Sequence, residues 1–130
     1  MTRARTFNRL AAAALALAST AASATLAERF PLLAFDRAVG CELQLAGNGR
    51  IVEIRASGMI PGEALAFTLT NGDMQPIEWQ VFADGAGRWQ KIYLPFRFGR
   101  DGGTMRASIS AARCSLSASL PWTRGVRTID

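Results

Sequence analysis

Histidine is absent from the 130-residue chain. That removes Ser-His-Asp and Cys-His nucleophiles, histidine general bases and histidine-ligated metals from consideration. Lysine is nearly absent: of the 15 basic residues only Lys91 is not arginine. There are two cysteines, Cys41 and Cys114, short of the four-ligand set of a structural thiolate site. No G-x-S-x-G, S-x-x-K or EF-hand loop pattern occurs, so the sequence carries no positive sign of catalysis and is read as non-enzymatic, with no cofactor and no metal. Long apolar runs are missing too. The stretch from Leu10 to Ala27 is mostly alanine broken by Ser and Thr, a poor match to the roughly 20 strongly apolar residues of a membrane span.

That stretch has another reading. Residues 1–9 carry Arg3, Arg5 and Arg9, Leu10–Ala18 is an apolar core, and Ala22-Ser23-Ala24 has the small-residue spacing of a cleavage site. We therefore expect a signal peptide over 1–24, cleaved after 24 or 27, and an exported, periplasmic or secreted product. The leader also accounts for much of the charge. The whole chain is +5, but without its three arginines 12 basic residues face 10 acidic ones, and the electrostatic case for nucleic acid disappears. An exported chain meets oxidising conditions, so Cys41 and Cys114 are expected to form a disulfide.

Residues 28–40 show no clean period and read as an N-terminal arm; residues 121–130 read as a C-terminal tail. Between them the pattern alternates with period two, with turns about every ten residues. Leu43 and Leu45, Val52 and Ile54, Leu65–Leu69, Ile77–Ala83, Arg88–Leu94, Met105–Ile109 and Cys114–Leu120 mark seven strands. Asn48-Gly49 predicts a type I′ hairpin turn and Ile60-Pro61-Gly62-Glu63 a type II turn. The expected fold is all-β: a single antiparallel seven-stranded β-sandwich over 41–120, its first and last strands stapled by the cysteines. Trp79 and Trp89 are expected in the core, and Phe82, on a polar phase, beneath the arm.

Ser57-Gly58-Met59-Ile60-Pro61-Gly62-Glu63 and Ala83-Asp84-Gly85-Ala86-Gly87-Arg88-Trp89 resemble the paired turns of bacterial immunoglobulin-like modules of exported proteins. The resemblance implies a sandwich architecture. It departs from antibody-type domains, which carry a tryptophan a dozen or so residues after the first cysteine and a tyrosine two before the second; Trp79 lies far beyond that spacing and Ala112 holds the other position.

The most unusual segment is Tyr93–Gly103, where aromatics and guanidiniums interleave between glycines. Rings stack on sugar or peptide faces and arginines pair with anions, so Tyr93, Phe96, Arg97, Phe98, Arg100 and Arg106 are the candidate binding residues. The competing reading has Phe96 and Phe98 capping an open end of the sandwich. Asp73, Glu78, Asp84 and Asp101 are turn carboxylates that a hydrolase would need to bring together, and Asn71, Asp73 and Asp84 a weak calcium candidate. The leading expectation is a noncatalytic envelope module binding a glycan or a protein partner; the alternatives are an interaction domain acting through an edge strand and, distantly, a hydrolase. Ligand and oligomeric state are open at this level.

Overall fold

The computed structural model describes residues 30–124. Among these, eight strands form two antiparallel sheets and no helix is present. The strands are β1 (Leu32–Ala38), β2 (Cys41–Gly47), β3 (Val52–Ser57), β4 (Ala64–Asn71), β5 (Ile77–Phe82), β6 (Trp89–Tyr93), β7 (Gly102–Ser110) and β8 (Ser115–Thr123). The first sheet has the order β1-β2-β3-β6 and the second β5-β4-β7-β8. This is an immunoglobulin-like β-sandwich of seven strands, β2 to β8, with β1 added beside β2.

Period-two patterning builds the core directly. Leu43, Leu45, Val52 and Ile54 face inward from the first sheet, and Leu65, Phe67, Leu69, Met105, Ile109 and Leu116 from the second, all with at most 4% exposure. Each such burial is worth about 1.5–3 kcal/mol before chain entropy is subtracted. The Cys41–Cys114 disulfide crosses between the sheets, from the start of β2 to the residue before β8.

The strand count is eight, not seven, because the segment read as an arm contributes β1. Two local features hide its period. A bulge between Leu32 and Ala34 shifts the register, and the inward position at Asp36 is polar. The Asp36 carboxylate accepts a hydrogen bond from the Ser117 N–H at 3.0 Å, so β1 lies against β8 and closes that side of the sandwich. At the other terminus, Pro121–Thr123 complete β8 rather than starting a tail, and Trp122 is buried. Trp79 is 44% exposed, contrary to its expected core position, because β5 is an edge strand: its ring packs on Phe67 and lies under the Lys91 ammonium, 4.3 Å from the ring centroid, at the rim of the core rather than within it. Trp89 is half-buried and packs on Phe67 with ring centroids 4.7 Å apart. Phe82 is exposed rather than covered by the N-terminal segment.

The loops gather at two ends. At one, the two turn segments of the immunoglobulin-like resemblance dock on each other: Met59 N–H donates to Gly87 O and Gly62 N–H to Ala83 O. Ile60–Glu63 closes as the expected type II turn, with Gly62 at φ +77°. Gly87, at φ +71°, lies so close to Met59 that a Cβ there would meet its carbonyl oxygen at 2.2 Å. The other end carries the β2–β3 turn, the β4–β5 turn, the β6–β7 loop and the end of β8. The Asn48-Gly49 turn there differs from type I′: only Gly49 has positive φ, and Asn48 Oδ1 instead accepts from the Arg50 and Ile51 N–H groups.

Candidate functional site

Asn71, the last residue of β4, organises the second end. It is fully buried, and a buried amide must find partners for both its donor and its acceptor. Its Nδ2 donates to the Pro95 carbonyl at 2.6 Å and to the Tyr93 hydroxyl at 3.0 Å, while Oδ1 accepts from Trp122 Nε1 at 2.7 Å. One side chain thereby ties β4, the β6–β7 loop and β8 together. Phe96 packs edge-on against the Trp122 ring, centroids 5.8 Å apart.

Beyond Phe96 the loop makes a turn. The Arg100 N–H donates to the Arg97 carbonyl at 3.2 Å, and Gly99 takes the positive φ, +72°, that the third position of a type II turn requires. Both flanking arginines reach the same carboxylate: Arg97 Nη1 donates to Asp73 Oδ1, and Arg100 Nη2 to Asp73 Oδ2 at 2.7 Å. Hydrogen bonding from Arg97, then the charges of Arg100 and Arg97, hold the Asp73 carboxyl below its ordinary range. Arg124 Nη2 donates to the Arg97 carbonyl at 2.7 Å from the end of β8.

The sequence candidates therefore divide. Tyr93 and Phe96 are packed into the end of the sandwich, as the capping reading expects for Phe96. Phe98 is not: it is 99% exposed at the tip of the turn. Arg97 and Arg100 are brought together on Asp73. Arg106 is apart from them, on the outer face of the second sheet, where its Nε donates to Ser117 Oγ at 2.6 Å.

Between the β2–β3 turn, Pro95–Phe96 and the end of β8 lies a pocket of about 260 Å³. Leu33, Ile51, Pro95, Phe96, Leu120 and Trp122 give it an apolar lining, and Arg50 is its only ionisable residue. Apolar walls with one placed charge suit a ligand with an apolar body and an anionic or hydrogen-bonding group. A larger depression of about 590 Å³ on the outer face of β4 and β5 is wider and shallower, over the short side chains of Ala64 and Ala66, with no comparable enclosure.

The turn carboxylates do not converge. Asp84 is at the opposite end from Asp73 and Asp101, and Glu78 is on the outer face of β5. Asp84 accepts from the Arg88 and Ala86 N–H groups, which lower its pKa, the opposite of what a general acid needs. Asn71, Asp73 and Asp84 thus form no calcium cradle, and among the described residues no cluster of three or more potential metal ligands occurs.

Sequence reasoning missed Asn71, Arg50, Ile51 and Trp122 as members of this end. The one available signal was Trp122, a large aromatic in a segment read as a tail.

No protein family's sequence model matches the chain, and no curated protein matches it. Among solved structures, a DUF3244 family protein from Bacteroides vulgatus with an immunoglobulin-like β-sandwich fold aligns over 71% of this chain and 97% of its own, with a TM-score of 0.49 and 9% identity. The fold assignment rests on the strand order given above rather than on this likeness.

Proposed function

We propose that this protein is an exported, noncatalytic binding module of the cell envelope whose ligand docks at the end of the sandwich carrying the β6–β7 loop. The observation that carries the reading is the pocket between Phe96, Trp122, Leu33 and Ile51 with Arg50 at its edge. Its walls come from four separate chain segments, two of which, Pro95–Phe96 and the end of β8, are tied together by the Asn71 hydrogen bonds, so that part of the cavity is preorganised. The ligand seats an apolar group between Phe96 and Ile51 and presents a polar or anionic group to Arg50. Export is supported by the charged, apolar and small-residue regions of the leader.

The test is affinity capture from solubilised envelope with the parent protein and Ile51→Trp, which fills the pocket from its half-exposed rim. A component retained by the parent and lost by a variant with an unchanged melting profile supports the reading. Equal capture by both, or none by either, overturns it. Intact mass of the recovered protein reads leader cleavage and the disulfide together.

A second reading has one specific observation behind it. The β1/β8 side is closed by Asp36, whereas β5 has an open edge flanked by the exposed Trp79 and Phe82. Such an edge can add a strand from a partner. Concentration-dependent association in sedimentation, abolished by Gln80→Pro on β5, would favour it over the pocket.

A further inference from the structure

We infer that the tip of the β6–β7 loop is a docking surface for an anionic phospholipid bilayer, with Phe98 as the inserted side chain. Three observations carry this, and none depends on the pocket.

The first is the presentation of Phe98. A phenylalanine 99% exposed touches nothing in its own fold, and this one sits at the second position of a turn whose shape is fixed. Arg97 and Arg100, immediately around it, are both held on Asp73, and Arg124 holds the Arg97 carbonyl. An exposed ring on a floppy loop would lose conformational freedom on insertion. Here the backbone share of that freedom is already restrained, so burial in an acyl layer loses only the rotamer freedom of the ring.

The second is a further apolar side chain of the same loop. Leu94, at the start of the loop, is 62% exposed and adds apolar surface to this end of the domain. The third is charge. Among the described residues this end carries Arg50, Arg97, Arg100 and Arg124 against Asp73 and Asp101. Phosphate oxygens accept bidentate bonds from guanidinium, and basic residues near an anionic leaflet each add to its attraction. An apolar tip on an end that carries two more arginines than aspartates matches the acyl layer and the phosphates of an anionic bilayer interface.

Vesicle co-sedimentation tests this, using the recovered protein with its leader state fixed by intact mass and identical in all variants. The parent is expected to sediment with phosphatidylglycerol-phosphatidylcholine vesicles more strongly than with pure phosphatidylcholine, and less as salt is raised. Phe98→Ser should weaken binding about tenfold with no change in melting temperature, because the ring has no contacts to lose. Arg100→Ser should weaken it about fivefold. Soluble glycerol phosphate should not compete.

No sedimentation with anionic vesicles overturns the inference, as does equal binding by Phe98→Ser. Full competition by glycerol phosphate would reduce the site to an anion pocket and also overturn it. If Phe98→Ser abolishes envelope capture while leaving vesicle binding intact, the occupant is a protein and the inference is wrong. Ile51→Trp retains vesicle binding, so failure of the pocket reading and failure of this one are separable.

Discussion

Replacing Asn71 by leucine is the sharpest probe of how the candidate site is held. The substitution keeps the branched four-atom shape of the side chain, with bulkier methyls in place of the amide oxygen and nitrogen, and deletes three hydrogen bonds from a fully buried position. Two of the abandoned partners, the Pro95 carbonyl and Trp122 Nε1, are themselves buried, while the half-exposed Tyr93 hydroxyl can turn to water. A buried polar group left unsatisfied costs about 1–3 kcal/mol, so the two together cost about 2–6 kcal/mol, a large part of the total for a domain of this size. At about 4–8 °C per kcal/mol, a mid-range cost of about 4 kcal/mol lowers the melting temperature by about 20 °C. Calorimetry or circular dichroism reads this, and hydrogen exchange should show protection lost first over residues 94–100. The cause is isolated by adding Trp122→Phe to Asn71→Leu, which removes the orphaned indole N–H and should return about 1 kcal/mol or more. A loss under about 1 kcal/mol for Asn71→Leu, or no rescue in the double variant, would refute the claim that this amide holds the site together.

Four further outcomes are expected. Removing the disulfide with Cys41→Ala/Cys114→Ala should cost about 2–4 kcal/mol in denaturant unfolding, since the bond closes a separation of 73 residues in the unfolded chain. Gly62→Ala should cost about 1–2 kcal/mol from its positive φ alone, whereas Gly87→Ala, which also drives a Cβ into the Met59 carbonyl, should cost about 3 kcal/mol or more; equal losses in urea melts would count against the close approach. Val39, the one non-glycine residue at positive φ among those described, occupies a two-residue β1–β2 turn, and Val39→Asn should stabilise the domain by about 1 kcal/mol in a thermal melt. Glu42 is lowered by its hydrogen bond from Gln44, Asp73 by Arg97, and Asp84 by backbone N–H groups. Lowered carboxyls contribute stability above their ordinary values, 4.5 for Glu42 and 3.8 for the aspartates, and lose it as the pH falls through the lowered ones. Melting temperature against pH should therefore decline on the acid side of that range, and Asp73→Asn should flatten the decline.

Local chemistry carried much of this structure in plain view. The alternation of Leu43, Leu45, Val52, Ile54 and Leu65–Leu69 determined seven strands and their inward faces, because side chains in a strand alternate whatever the strand pairs with. Gly62 and Pro61 determined their turn for the same reason: φ is a property of the residue itself. The pairing of two cysteines needed only their number. What the sequence could not reveal depends on residues far apart in the chain. β1 became a strand because β2 offered an edge and Ser117 offered an N–H to Asp36, 81 positions away. Trp79 lost its place in the core because β5 fell at a sheet edge. The pocket exists where residues near 33, 51, 96 and 122 converge, and Arg97 and Arg100 lost their freedom to Asp73 in a different turn. Strand patterning and turn type are set by neighbours within a few residues, whereas cavities, ion pairs and edges are set by how whole strands are ordered, and that order was decided only when the two sheets closed on one core.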